Sequence, residues 1–194
     1  AKHFIAYGAA QAGRDYHTVD ISERELRDTY LPPFKAAIDA GAATVMSAFN
    51  EYDGVPCTAN SFLMRDLLRK EMGFKGFVVS DYTAVKELIA HGVADNDEEA
   101  ASLGMNAGVN MCMVDNLYLF HGEKLVKEGV VREETVNELC AEILTMKYKL
   151  GLFDDPYRYG SEEKEKSTIF NESNLLAAKE LAKKSMVLLQ NNNN

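Results

Sequence analysis

Four short apolar runs, separated by longer stretches of helical pattern, dominate the hydrophobic profile of this chain. The runs lie at residues 3–7, 44–49, 77–80 and 109–114. Each is too short for a helix and is followed by polar or glycine-containing sequence, as is typical of buried parallel strands. The pattern therefore predicts four strands.

The segments between these runs predict helices. Ser22 and Glu25 have capping-box spacing, and the apolar residues that follow share one helical face. Pro32 and Pro33 are expected to kink or split this first helix. Further helices are predicted from residue 60 or 61 to 73, and at 97–107, 118–128 and 133–150.

The spacing of the four runs indicates consecutive βα units. They start at residues 3, 44, 77 and 109, which leaves room for a strand, a crossover helix and two loops each time. Such units build an open doubly wound sheet or part of a (β/α)8 barrel. A full barrel needs about 250 residues, so this 194-residue chain would supply about half of one.

The pattern changes after residue 150. Residues 151–173 are charged and lack an apolar stripe, which is typical of an exposed linker. An amphipathic helix at 174–184 and an apolar strand at 186–190 then predict that residues 174–194 begin a second domain.

Charge and cysteine content exclude several classes of function. The chain has 21 Lys and Arg against 30 Asp and Glu, a net charge of −9 without a basic stripe, so we expect no nucleic-acid partner. Its apolar runs are far too short to span a membrane. The three cysteines are widely spaced, which indicates neither a disulfide framework nor a zinc site.

Polar residues that follow strands are the candidates for chemistry, because the loops after the strands of a βα fold form its active site. Asp81 ends an apolar run and can serve as a nucleophile, a general base or a metal ligand, or can merely cap a helix near Ala84. Lys2 and His3 suit sugar hydroxyls or a carboxylate, or form a buried ion pair.

The remaining candidates are weaker. Arg14 and Asp15 could form a bidentate clamp or a loop salt bridge. The other histidines have no ligand-like spacing and are interpreted as surface or packing residues: His17, His91 and His121.

Along nearly its whole length the chain carries, in order, the motifs Lys2-His3-Phe4, Gly13-Arg14-Asp15, and residues 45–50, 53–56, 73–82, 107–111, 149–154 and 185–191. Together these motifs resemble glycoside hydrolase family 3, in particular its bacterial periplasmic β-glucosidases. The resemblance implies a retaining enzyme that removes terminal β-linked glucose from an oligosaccharide or aryl glucoside. Asp81 would be the nucleophile, and a two-carboxylate mechanism would need no metal or cofactor.

The resemblance also implies roles for the neighbouring residues. Lys2, His3 and Arg14 would bind hydroxyls of the first sugar ring, Met46 would line that subsite, and Tyr82 would pack on the sugar. Phe49 departs from members that carry a tyrosine there, so a hydroxyl near the nucleophile is missing at this position.

The family fold sets the expected domains. Residues 1–150 would be the second half of a (β/α)8 TIM barrel, strands five to eight, and 151–173 the linker. Residues 174–194 would begin an α/β sandwich domain. The missing barrel half, the rest of the sandwich and the acid/base residue would belong to a longer parent chain. The resemblance implies a periplasmic or secreted location.

Three alternatives remain open. This half of the pocket does not separate a β-glucosidase from a β-xylosidase. Asp15 and His17 have the Asp-x-His spacing of the family's N-acetylglucosaminidases, although residues 4–6 lack the Pro-Gly of that branch. The chain could also be a catalytically incomplete carbohydrate-binding fragment.

Overall fold

A computed structural model describes residues 1–192 and contains a parallel sheet covered by helices. Three parallel strands, β1 (Thr44–Met46), β4 (Phe77–Tyr82) and β5 (Met111–Met113), form this sheet in the order β1-β4-β5. Val45 pairs with Val78, and Val79 with Met111. Three of the four predicted strands are thus confirmed, two of them over a shorter range.

The first predicted strand is wrong in extent. Only Phe4 joins the sheet, through an isolated parallel bridge to Ser47. Its backbone N–H donates to the carbonyl of Met46 over 2.7 Å. Ala6 then adopts a left-handed backbone with φ 62°, and a 3-10 turn follows at Tyr7–Ala9. Extended pairing cannot continue through such a residue.

A hairpin that the pattern did not predict follows β1. Its strands are β2 (Glu51–Tyr52) and β3 (Val55–Pro56), paired antiparallel. Asp53 and Gly54, the two turn residues, have φ of 53° and 75°. Positive φ at both positions is typical of a type I′ turn, for which Asp-Gly is a preferred sequence.

The first helix, α1, is continuous across three stretches: Glu23–Glu25, Leu26–Tyr30 and Leu31–Asp39. Ser22 accepts the N–H of Glu25 over 3.1 Å, as the capping-box spacing predicts. The two prolines do not split the helix. They occupy the first turn of Leu31–Asp39, directly after the π-helical stretch Leu26–Tyr30, and proline is tolerated in a first turn.

The other helices of residues 1–150 confirm their predictions to within two residues. They are α2 (Phe62–Glu71), α3 (Asp97–Ala107), α4 (Leu117–Lys127) and α5 (Glu133–Lys149). Asn60 accepts the N–H of Leu63 at the start of α2. Two buried apolar clusters support these helices, one around Phe4, Leu67 and Phe74, the other around Leu88 and Leu125.

The chain divides into two compact units, residues 1–150 and 151–194. The second unit contains α6 (Glu162–Thr168) and α7 (Glu172–Lys184), each with a side-chain N-cap, Ser161 and Asn171. Helix α6 lies where the charge pattern predicts a linker. The predicted strand at 186–190 is wrong: residues 151–192 contain no strand, so this segment has none within its own unit to pair with.

Residues 193 and 194, the end of the predicted second domain, lie outside the described residues. None of the helices within 1–192 combines the length and apolar character needed to cross a membrane.

Candidate functional site

The carboxylate of Asp81 lies at the carboxyl end of β4, and its side chain is only 12 % exposed. The preceding residue locks this strand end in place. Ser80 Oγ donates to the Asp81 carbonyl and accepts the N–H of Met113, both over 2.9 Å. The end of β4 is therefore fixed to β5 immediately before the carboxylate.

Each oxygen of this carboxylate has its own polar neighbour. Oδ2 lies 3.3 Å from Nε2 of His3, and Oδ1 accepts the N–H of Tyr82 over 2.7 Å. The expectation that Asp81 caps a helix near Ala84 is wrong, because only a 3-10 turn, Lys86–Leu88, follows and the carboxylate bonds elsewhere. The Asp81 carboxylate is thus fixed at the strand end by contacts to both of its oxygens.

Aromatic rings line the approach to Asp81 from the amino-terminal loop. Tyr7 packs against His3 with ring centroids 5.2 Å apart, and Tyr16 packs against Phe49 at 4.5 Å. The Tyr7 hydroxyl donates to Asp15. Burial, followed by the hydrogen bond to Asp15, raises the pKa of Tyr7 well above its ordinary value. Tyr7 therefore stays protonated, and its ring packs against the ring of His3.

The remaining predicted ligands lie around this approach with different exposure. Arg14 is exposed and lines a cavity of about 230 Å³ together with Tyr7 and Asp15. Lys2 is exposed beside His3, Met46 is half-buried at the end of β1, and Tyr82 is 58 % exposed.

Asp15 is held by groups other than the predicted ones. Its carboxylate accepts from the Tyr7 hydroxyl and, over 3.1 Å, from the N–H of Tyr16. Across residues 1–192 we find no hydrogen bond from Asp15 to Arg14 or to His17. The loop salt bridge with Arg14 is thus not formed, and the Asp-x-His spacing does not bring its two side chains into a bonded pair.

A half-buried polar network beside the site was missed by the sequence analysis. His91 Nδ1 lies 2.9 Å from Glu51 Oε1, and Thr18 donates to Glu51 Oε2 over 2.8 Å. His91, interpreted from sequence as a surface or packing residue, thus pairs with a carboxylate, and its side chain is 12 % exposed. The Asp53-Gly54 turn signal could have revealed the hairpin that carries Glu51.

The electrostatics of Glu51 favour its charged form. Burial raises the pKa of this carboxyl, but the hydrogen bonds from His91 and Thr18 outweigh burial and hold the pKa below its ordinary value. A carboxylate only accepts hydrogen bonds, so His91 Nδ1 carries the proton in this pair.

Thr83 (φ 55°) and Val114 (φ 74°), which directly follow β4 and β5, have left-handed backbones. Tyr16 (φ 64°), in the amino-terminal loop, has one as well. Such conformations cost roughly 1–3 kcal/mol each and concentrate at functional sites. Their position around Asp81 agrees with a site at this edge of the sheet.

Metal-ligating side chains do not cluster in the described part of the chain: residues 1–192 contain no group of three His, Cys, Asp or Glu residues placed to hold an ion. Burial raises the pKa of the Cys57 thiol to about 12, so this thiol is not a ligand or nucleophile at neutral pH.

The fold is that of an α/β chain with a carboxylate at the end of a parallel strand, and comparison with known proteins gives its family. Residues 1–146 match the family described as "Glycosyl hydrolase family 3 N terminal domain". The chain belongs to glycosyl hydrolase family 3.

Its relatives include glucosidases and xylosidases. The chain is 44% identical over 193 residues to a periplasmic beta-glucosidase of Salmonella typhimurium, covering 98% of this chain and 25% of the relative. It is 40% identical to a beta-xylosidase of Formosa agariphila, and the match covers 100% of this chain and 28% of that relative.

A solved structure shares its fold. The beta-glucosidase from Listeria innocua in complex with glucose matches with a TM-score of 0.88 and 46% identity, over 98% of this chain and 26% of that one. A mutant of the same enzyme has been solved in complex with laminaribiose. The chain therefore spans about a quarter of the length of the relatives that it matches.

Proposed function

We propose that the protein carrying this chain is a retaining exo-β-glucosidase in which Asp81 is the nucleophile. The observation that carries this proposal is the fixed, mostly buried carboxylate of Asp81 with Oδ2 3.3 Å from His3 Nε2. The contact with His3 and the strand end together fix the direction in which this carboxylate points. Membership of a family of glycosyl hydrolases supports the same chemistry.

The reaction follows from a carboxylate in this position. Asp81 attacks the anomeric carbon of a terminal β-glucosyl unit, and a covalent glycosyl-enzyme forms as the bond to the leaving oxygen breaks. Water then hydrolyses this intermediate. A second carboxyl group must protonate the leaving oxygen, and in retaining enzymes it lies about 5–5.5 Å from the nucleophile. We assign that group to the longer protein outside this chain.

The first sugar ring would use the residues grouped around Asp81. In this proposal Lys2, His3 and Arg14 bind its hydroxyls, Met46 lines the subsite, and the exposed ring of Tyr82 packs on the sugar. The exposure of Lys2, Arg14 and Tyr82 supports these roles, because each side chain is free to meet a ligand.

The larger architecture is part of the proposal. Residues 1–150 would form strands five to eight of a (β/α)8 barrel, 151–173 a linker and 174–194 the start of an α/β sandwich. The parallel order of the sheet and the Listeria innocua match support the first of these. A periplasmic or secreted location is supported by the Salmonella typhimurium relative.

A β-xylosidase is the second candidate. The Formosa agariphila relative, at 40% identity over the whole chain, supports it. Comparing kcat/KM for aryl β-glucoside, β-xyloside and N-acetyl-β-glucosaminide on the full-length protein separates the glucosidase from the xylosidase and from the N-acetylglucosaminidase alternative.

The test of Asp81 uses the full-length protein. Asp81→Asn should abolish turnover of an aryl β-glucoside, whereas Asp28→Asn, the same chemical change on an exposed helix position, should leave turnover unchanged. A 2-deoxy-2-fluoro-β-glucoside should accumulate as an adduct on the peptide that contains Asp81. Near-normal turnover in Asp81→Asn, or an adduct on another peptide, would refute the assignment.

A further inference from the structure

His3 reaches Asp81 from a segment whose backbone is held on both sides by β1 residues. The Phe4 N–H donates to the Met46 carbonyl, and the Phe4 carbonyl accepts the N–H of Ala48, both over 2.7 Å. These bonds fix the backbone directly after His3. The imidazole itself is 27% exposed, so its contacts with other side chains decide whether Nε2 points at Asp81.

The imidazole belongs to an aromatic cluster that consists of His3, Tyr7, Phe49 and Tyr16. Tyr7 packs against His3 with ring centroids 5.2 Å apart, and its ring lies 6.3 Å from that of Phe49. Tyr16 in turn lies 4.5 Å from Phe49. Tilted aromatic rings at such distances attract each other, so the Tyr7 ring favours one orientation of the imidazole.

One carboxylate oxygen binds both ends of the loop that carries the two tyrosines. Asp15 Oδ1 accepts from the Tyr7 hydroxyl and, over 3.1 Å, from the N–H of Tyr16. Residues 11–17 are all exposed, so this loop has little packing of its own with which to hold Tyr7. The hydrogen bond to Asp15 is therefore the contact that fixes the hydroxyl end of Tyr7.

We propose that Tyr7 and Asp15 are positioning residues for His3. Asp15 fixes the hydroxyl of Tyr7, and the Tyr7 ring keeps Nε2 of His3 directed at Asp81. The inference rests on the proposed function, because it takes Asp81 as the nucleophile. Neither Tyr7 nor Asp15 needs to touch the sugar in this role, since both act through His3.

Energetic coupling separates action through His3 from general support of the loop. Arg14, which the proposed function assigns to sugar binding, directly precedes Asp15, so a loosened loop would also displace Arg14. A loss of activity through Arg14 would persist when the imidazole is removed. A loss through His3 would disappear, because residues that act through one group have non-additive effects.

The experiment measures kcat/KM for an aryl β-glucoside in the full-length protein. Tyr7→Phe keeps the ring but removes the hydroxyl, and it should lower kcat/KM at least about fivefold. In a His3→Ala background the same substitution should change kcat/KM less than about twofold. Tyr148→Phe, on a position of α5 that is 74% exposed, is the matched control and should leave kcat/KM unchanged in both backgrounds.

Substitutions of Asp15 provide the second measurement, which also serves if Tyr7→Phe folds poorly. Both bonds of this carboxylate use Oδ1, and an amide oxygen can likewise accept from two donors. Asp15→Asn should therefore stay within about threefold of the wild type, whereas Asp15→Ala should lose at least about fivefold. The loss in Asp15→Ala should also vanish in the His3→Ala background.

The outcomes distinguish this inference from the proposed function. A Tyr7→Phe protein as active as the wild type, equal fold-losses in the wild-type and His3→Ala backgrounds, or equal activity of Asp15→Asn and Asp15→Ala would overturn the inference alone. Full activity of Asp81→Asn would instead overturn the proposed function, whatever the Tyr7 and Asp15 variants show.

Discussion

His3 Nε2 lies 3.3 Å from Asp81 Oδ2, although β1 separates their backbones in the sheet. Phe4 bridges to Ser47 on one side of the β1 segment, and β4 pairs with β1 on the other. The two side chains thus meet across the end of the strand between them. A contact of this kind depends on the parallel order of three segments, and it brings together residues far apart in the sequence.

The contact between His3 and Asp81 predicts that two substitutions of His3 lower activity by different amounts. In the full-length protein, His3→Ala should lower kcat/KM for an aryl β-glucoside about 10- to 100-fold, since a polar contact to a charged group contributes roughly 1.5–3 kcal/mol. His3→Gln should lose less, because its amide can still reach the carboxylate. Activity of His3→Ala within twofold of the wild type would contradict this role.

The lowered pKa of Glu51 predicts that the free energy of unfolding depends on pH. The pKa of Glu51 is lowered in the folded state relative to about 4.3 in the unfolded chain. A carboxyl group whose pKa is lower in the folded state stabilises the protein at pH values above its unfolded-state pKa. This stabilisation is lost as the pH falls through its folded-state pKa.

The measurement compares wild type with Glu51→Gln in the full-length protein by urea denaturation. The wild type should be more stable at pH 7, and its advantage should shrink steadily as the pH falls below about 4.3. Glu134→Gln, on an exposed helix position, should show no such trend. An advantage that persists unchanged at pH 3.5 would rule out an ionised Glu51 as its source.

Local sequence signals predicted the parts of the fold that local chemistry decides. Asp81 could be found because a carboxylate ends an otherwise apolar run, and the start of α1 because Ser22 and Glu25 have capping-box spacing. The Glu51–His91 pair could not be found in this way. Its members are 40 residues apart, and only the packing of the hairpin against the loop after β4 brings them together.

The hairpin turn predicts a backbone effect on stability. Gly54 has φ 75° with open space around it, so an added Cβ meets strain and no clash. Gly54→Ala should therefore destabilise the full-length protein by about 1 kcal/mol. Asp53→Asn is the control, because asparagine tolerates the left-handed conformation. Equal unfolding midpoints for Gly54→Ala and wild type would contradict the type I′ assignment.

Asn110, which immediately precedes β5, uses the full hydrogen-bonding capacity of its side chain. Oδ1 accepts from the Val78 N–H over 2.7 Å and from Arg69 over 3.0 Å, while Nδ2 donates to the Leu139 carbonyl over 2.9 Å and to Glu142 over 2.6 Å. One amide therefore ties β4, α2 and α5 together.

Removing the side-chain amide of Asn110 should lower the free energy of unfolding. Asn110→Ala leaves the buried N–H of Val78 without its acceptor, and an unsatisfied buried group costs about 1–3 kcal/mol. Burial already raises the pKa of Glu142 and lowers that of Arg69, so the substitution removes one polar partner from a pair whose charged forms burial disfavours. We expect a loss of at least about 2 kcal/mol in urea denaturation of the full-length protein. Amide exchange in the β4 peptide should also accelerate. Asn137→Ala, on an exposed position of α5, should change neither quantity, and an Asn110→Ala protein as stable as this control would show that the amide is not needed to hold the strand.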